Sequence, residues 1–260
     1  MKTNPFKLAS ISLITFWLCI FGLLPFVLTF MLSFLSNDPA HFYTFKPTLS
    51  HYTSLIDPLF LRVFIRSFFT ALITTTCCLL IGYPFAYALA RLPKKVRTLG
   101  LFLVIIPFWT SSLIRSFAII TIIKAQGLLN QVLLHWHWIT HPLQILYTPI
   151  ASQIGLIYTL LPFMILPIYS NLEKFDWRLL DAAADLGAKR CRRFWQVVLP
   201  ISMPGILSGI LLVFLPAMTL FYIPDILGGA KSLLLGNLIY SEFLDYHNWP
   251  LGASISIVLT

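Results

Sequence analysis

The sequence predicts an all-α integral membrane protein, and three observations carry that prediction. Of its 260 residues, 58% are hydrophobic and only 10% are charged, against about a quarter charged in an ordinary soluble domain. Mean hydropathy is +0.85, so the chain has too little polar surface to face water. The apolar residues come in continuous runs of about 20, the length that carries a helix across a hydrocarbon core of about 30 Å. A transmembrane barrel would show short alternating segments instead.

The first apolar run follows Lys2 and Lys7, as in a signal peptide. Residues 11–32 are too long for the apolar core of such a leader, and no small-x-small cleavage site follows cleanly. The run is therefore read as a retained first span, over about 11–34. Further spans are predicted over 65–90, 99–123, 149–170 and 201–224, with a sixth opening near 250. In lipid every backbone polar group must be satisfied within its own segment, so these spans are helices. The sixth begins Pro250-Leu251-Gly252-Ala253 and has about ten residues to Thr260, too few to cross a bilayer. It is expected to be incomplete in this chain.

Lysine and arginine orient the spans. Lys2, Lys7, Arg91, Lys94, Lys95, Arg97, Lys174, Arg178, Lys189, Arg190, Arg192 and Arg193 fall on one side. Lys46, Arg62, Lys124 and Lys231 fall on the other. The first set is cytoplasmic by the positive-inside rule, which places the N-terminus inside. The net charge of +9 then belongs to membrane topology, not to nucleic acid. Arg66 and Arg115 sit within predicted helices. Arg115 lies about 16 residues, or about 24 Å, from the inner start of its span. It either snorkels to the outer interface or takes part in a path or gate.

Prolines 84, 107, 162, 167, 204, 216 and 224 interrupt the spans, which suits a protein that changes shape but is also common in rigid membrane proteins. Cys19, Cys77, Cys78 and Cys191 fit neither a zinc spacing nor a disulfide framework and are read as packing residues. His135, His137 and His141 are a weak metal candidate, since the last two share a face only if helical. The interleaved Trp136 and Trp138 favour an interfacial helix with aromatic anchors.

One polar segment stands out. Asp181-Ala182-Ala183-Ala184-Asp185-Leu186-Gly187 is followed ten residues later by Val197-Val198-Leu199-Pro200. Asp176 suits an N-cap, residues 177–186 a helix of about ten residues, and Gly187 the left-handed position after its end. Acids in the first half and the basic run 189–193 after the end complement the helix dipole. The alanines leave room for another protein surface, and Leu179, Leu180 and Leu186 offer apolar contact. Taken alone, the helix equally fits a short segment lying on the inner leaflet.

The spacing resembles the EAA loop of ABC importer permeases, E-A-A-x3-G-x9-I-x-L-P, with Asp181 in place of Glu and Val197 in place of Ile. The resemblance extends to Pro107-Phe108-Trp109-Thr110-Ser111-Ser112-Leu113-Ile114-Arg115, Leu161-Pro162-Phe163-Met164, Leu220-Phe221-Tyr222-Ile223-Pro224-Asp225, Gly228-Gly229-Ala230-Lys231 and Asn248-Trp249-Pro250. Over nearly the whole chain it is similar to the B-type membrane subunit of spermidine/putrescine (polyamine) ABC importers. That resemblance implies a type I ABC importer permease with six transmembrane helices. It implies a single permease domain over 1–260 with a cytoplasmic coupling loop at 171–200, in the bacterial inner membrane. It also implies ATPase docking through Asp181, Ala182, Ala183, Asp185, Gly187, Leu199 and Pro200. The implied partners are a second permease in a heterodimer, two copies of an ATP-binding subunit and a periplasmic substrate-binding protein, with a polyamine as cargo.

The chain has no phosphate loop of the form G-x4-G-K-[ST], no H-E-x-x-H and no G-x-S-x-G. The motor is expected in another chain, and no catalytic residue, cofactor or metal is expected here. A polyamine calls for carboxylates and aromatic faces. The outer segments hold Asp38, Asp57, Asp225, Glu242 and Asp245, with Phe221, Tyr222, Tyr240, Phe243, Tyr246 and Trp249. Asp225, beside Tyr222 at the outer end of span five, is the leading substrate candidate; pairing with Lys231 or Arg115, or capping, is the alternative. Glu242 and Asp245 are either solvated loop acids or contacts for cargo or binding protein. Trp109 either lines the path or packs. The binding protein is expected at 36–63, 125–148 and 225–249, and motion of the 176–187 helix is expected to open the path by turns to each side. The same architecture with an amino acid, sugar or anion as cargo is the near alternative. An ion-coupled transporter needs a carboxylate deep in a span, and spans one to four hold no Asp or Glu.

Overall fold

The computed structural model describes residues 5–38, 43–229 and 233–260, with side chains from residue 10 onward. Lys2, the side chain of Lys7, and Ala230, Lys231 and Ser232 lie outside the described residues. Five stretches are long and apolar enough to cross a membrane: Ser10–Leu32, Pro58–Arg91, Ser112–His135, Pro149–Glu173 and Arg190–Thr219. The shorter apolar helix Trp249–Leu259 follows. The chain forms two compact units, residues 1–64 with 236–260 and residues 65–235.

In the first unit, α1 (Pro5–Leu18) and α2 (Leu24–Leu32) are joined by a π-helical turn at Cys19–Leu23. No part of the most apolar window of Ser10–Leu32 is buried within the chain, so this surface is left to lipid or a partner. A short ribbon pairs β1 (Leu35–Ser36) with β2 (Thr44–Pro47), antiparallel and with an irregular register. An all-helical reading did not anticipate it. Beyond it, α3 (Ser50–Ser54) is tied back by Tyr52, whose hydroxyl meets the buried Ser33 hydroxyl at 2.8 Å, and by His51 on the Leu35 carbonyl at 3.0 Å.

In the second unit the long helix α4 (Pro58–Arg91), from residue 65 on, buries a face of small residues, among them Ser67, Ala71, Thr74, Thr75, Cys78, Gly82 and Ala86. That face is tied to its neighbours by hydrogen bonds with no water needed. Gln153 Nε2 donates to Thr74 Oγ1 at 2.8 Å and to the Thr70 carbonyl at 3.2 Å. Tyr83 and Ser202 hydroxyls meet at 3.0 Å. In lipid such polar side chains between helices act as glue.

The predicted third span, 99–123, is not one helix. It is divided into α5 (Lys94–Trp109) and α6 (Ser112–Ile123). Pro107 has no amide hydrogen and disturbs the last turn. The Thr110 amide falls back to the Pro107 carbonyl at 3.3 Å, and Thr110 itself is extended, with φ −89° and ψ 149°. Then α7 (Leu128–His135) ends where His137 takes a φ of +56°. His137 and His141 therefore do not share a helical face, and no group of three metal-binding side chains occurs among the described residues.

The closest packing joins α8 (Pro149–Glu173) to α11 (Leu199–Thr219). Gly205 and Gly209 lie one turn apart on α11, and a Cβ at either would come within 3.0 Å of α8: 2.8 Å from Asn171 Cβ and 2.7 Å from Met164 Sδ. Gly205 has to be glycine for the backbones to approach this closely, and at Gly209 a side chain would displace Met164. Between these helices lie α9 (Arg178–Asp185), α10 (Arg190–Arg193) and a π turn at Phe194–Val198. After α11 comes a π turn at Pro224–Gly228, followed by α12 (Leu235–Leu244) and α13 (Trp249–Leu259). Cys78 is buried, whereas Cys19 and Cys191 are exposed, so packing explains Cys78 but not those two.

Candidate functional site

The polar loop folds locally as its residues dictate. Asp176 Oδ1 accepts the Arg178 amide at 3.0 Å, satisfying a free donor at the start of α9. At the other end Gly187 has φ +77°. Its amide donates to the Ala184 carbonyl at 2.8 Å, and the Ala188 amide donates to Ala183 at 3.0 Å. This is the Schellman arrangement, which needs a residue at ease with positive φ. Leu180 turns inward and is buried. Asp181, Ala182, Ala184, Asp185 and Leu186 are exposed, Leu186 at 88%. An apolar side chain so open, flanked by alanines and acids, is left uncovered by the rest of this chain.

Two contacts that the sequence reading missed hold this helix in place. The Arg91 guanidinium stacks over Tyr87 at 5.4 Å and over Trp177 at 5.2 Å. Arg193 Nη1 donates to the Leu180 carbonyl at 3.3 Å. Arg91 follows Tyr87 by one helical turn at the end of α4, which was the available signal. Farther along, Arg97 Nη2 meets Glu173 Oε1 at 3.1 Å and joins the start of α5 to the end of α8. Leu199 and Pro200 follow the π turn Phe194–Val198 directly, so Pro200 stands inside a helical stretch that runs from Arg190 to Thr219.

Tyr87, Arg91, Leu180, Asp181, Arg190, Arg193, Phe194 and Val198 enclose a cavity of about 490 Å³ beside α9. A smaller one of about 220 Å³ is lined by Arg115 and Tyr158 with apolar residues of α4, α5 and α8. There the Arg115 guanidinium lies 5.5 Å from the Phe108 ring, and its buried Nε has no hydrogen-bond partner.

The candidate cargo residues of this unit do not converge on Arg115. Asp225 is exposed in the first turn of the Pro224–Gly228 segment and makes no ion pair with Arg115. Tyr222 is half-buried. Trp109 is 79% exposed, so packing within this chain does not account for it. In the other unit Asp245 is exposed, while Glu242 is only 9% exposed. No described residue offers Glu242 an ion pair, and burial pushes its carboxyl above the usual range. The loop at 124–143 has its own fastening: buried Asn130 donates to the Lys124 and Leu143 carbonyls at 3.1 and 2.9 Å and accepts the Leu143 amide at 2.8 Å.

The chain is 50% identical over 257 residues to the spermidine/putrescine transport system permease protein PotB of Haemophilus influenzae, covering 99% of this chain and 90% of that one. It is 50% identical over 244 residues to PotB of Escherichia coli K12, covering 94% and 89%. A bacterial alginate ABC transporter, solved with a periplasmic protein carrying an alginate pentasaccharide, shares the fold. Its TM-score is 0.72 at 18% identity, over 97% of this chain and 88% of that one. Residues 79–260 match the model of the binding-protein-dependent transport system inner membrane components; the chain belongs to that family and is a multi-pass inner-membrane transport subunit, not an enzyme.

Proposed function

We propose that this chain is the B-type permease subunit of an ATP-driven polyamine importer. It works as one permease domain over 1–260, with its N-terminus in the cytoplasm. The coupling helix α9 carries the reading: capped at both ends, fastened by Arg91 and Arg193, and open on its Asp181–Leu186 face. Asp181, Ala182, Ala183 and Asp185 meet the ATPase on that face. Gly187 sets the exit from the helix, and Leu199-Pro200 starts the span that receives the motion. A second permease completes a heterodimer, and two ATPase copies drive it.

Spermidine or putrescine is the proposed cargo, as the names of the half-identical relatives support. The residues agree with a polycation. Asp225 carries the carboxylate that a terminal ammonium requires, and it is left unpaired by Arg115. Tyr222 and the open Trp109 supply aromatic faces. Arg115 is a fixed cation packed over Phe108; beside a polycation path it acts as a barrier rather than a binding group. Glu242 and Asp245 are proposed contacts for cargo or binding protein on their own unit.

The test is spermidine uptake into right-side-out membrane vesicles that hold the assembled transporter, with ATP loaded inside and the binding protein supplied outside. Wild type should accumulate spermidine only with ATP, and Asp225→Asn should lose most of that uptake while keeping assembly. Uptake indifferent to Asp225→Asn moves the cargo site elsewhere. Intact assembly without spermidine uptake overturns the polyamine reading and directs the search to another small cargo.

A further inference from the structure

We infer that the cavity beside α9 is a site for a phosphate-bearing anion, and that its occupant is the head group of an anionic phospholipid of the inner leaflet. Three guanidinium groups line it: Arg91 from the end of α4, and Arg190 and Arg193 from α10. A single carboxylate, Asp181, lines it with them. Asp181 forms no ion pair with any of the three. Three like charges around one hollow of about 490 Å³ repel each other, and the one carboxylate in the wall leaves them in excess. An anion relieves that repulsion, and arginine is the side chain whose fork matches phosphate oxygens.

Two of the three cations are already held in place. Arg91 lies against both the Tyr87 and the Trp177 ring, and Arg193 is fixed on the Leu180 carbonyl. Guanidinium groups positioned in advance lose little freedom on binding. The place of the cavity decides between a lipid and a free phosphate. Of the apolar residues there, Leu180 and Val198 are buried and Phe194 is half-buried. Phe194 and Val198 belong to the π turn that leads directly into α11, within the apolar stretch Arg190–Thr219. A cavity at the head of a spanning stretch stands at the depth of lipid head groups, a placement that a lipid requires and a free phosphate does not. Basic pockets at the cytoplasmic ends of spans take anionic head groups. Because the same cavity touches Asp181 on the coupling helix, a bound lipid steadies the helix that the motor drives.

The assembled transporter, with its ATPase, is purified in neutral detergent and titrated with phosphatidylglycerol, reading bound lipid by native mass spectrometry. Wild type should retain the lipid, and Arg190→Gln with Arg193→Gln should bind it about thirtyfold more weakly, at roughly fivefold per arginine near an anionic head group. Arg190→Lys with Arg193→Lys keeps the charge and should recover most of the binding, which separates loss of the site from loss of the fold. Phosphatidylcholine should not substitute. Displacement of the lipid by millimolar inorganic phosphate, with no preference for the lipid, reassigns the site to a soluble anion. Unchanged lipid retention in the glutamine variant overturns the inference. So does unchanged retention with loss of the ATPase, since the arginines then seat the partner protein.

Discussion

Glu242 is the residue whose chemistry is most exposed to test. It is a carboxyl buried to 9% exposure, with its acidity weakened by desolvation and no ion pair to any described residue. A carboxyl whose folded pKa is raised binds its proton more tightly in the folded state than in the unfolded one. It adds nothing unfavourable below the usual carboxylate range, and its ionisation erodes stability as pH rises through the raised value. Thermal unfolding of the purified transporter should therefore show wild type losing stability relative to Glu242→Gln as pH rises above the usual carboxylate range. Parallel pH profiles for the two would mean that Glu242 is solvated or paired in the assembly. If a polyamine ammonium is the missing partner, adding spermidine should narrow the gap at neutral pH in wild type and leave Glu242→Gln unmoved. The existence of this acid was plain in the sequence. Its burial was not, because a carboxylate between Ser241 and Phe243 on a short helix reads equally well as a solvated loop charge.

Among elements, α9 was legible almost to the residue, and the reason is local. A capping aspartate, a run of alanines and a glycine in the left-handed position act within a few residues of one another, so no distant contact is needed to read them. Gly187 sits at φ +77° with nothing within 4 Å of a built Cβ. Gly187→Trp is therefore tolerated by space but strained in the backbone, by roughly 1 kcal/mol or more. The distorted exit turn should break co-purification of the ATPase while the spans remain folded; full recovery of the complex would count against docking at α9. The α8–α11 seam makes the opposite case. Gly205 and Gly209 stand in a G-x-x-x-G spacing, a packing signal that the sequence reading did not use; which helix they meet was not legible, because the partners are Asn171 and Met164 on another helix. Gly209→Leu forces side-chain bulk against Met164 and should cost about 1–3 kcal/mol, seen as a lower unfolding temperature with uptake reduced in step. The break between α5 and α6 was hidden for a related reason: Pro107 marked a kink, but whether the chain resumes its helix at once depends on what receives the freed carbonyl groups.

At the scale of the whole molecule, hydropathy foretold the span-length apolar helices, since it is a sum over many residues and tolerates local error; the placement of lysine and arginine predicts their orientation on the same ground. The ties between distant elements were illegible, as in Arg97 with Glu173 or Arg91 with Trp177, because pairing across the fold leaves no periodic trace in the chain. Orientation can be tested on the native thiols. Cys191 is exposed on α10 in the basic loop, Cys78 is buried, Cys77 is half-buried, and Cys19 faces outward from the apolar first span. Only Cys191 combines exposure with a place outside the hydrocarbon core. A membrane-impermeant maleimide should label the chain in inside-out vesicles and not in intact spheroplasts, and Cys191→Ser should abolish the labelling. Vesicles lacking the ATPase should label faster than those holding it, because the motor covers the loop in which α10 follows α9. Labelling from the outer face would reverse the assigned orientation and remove the basis for docking at Asp181. Equal rates with and without the motor would leave the orientation standing and place the docking surface away from α10.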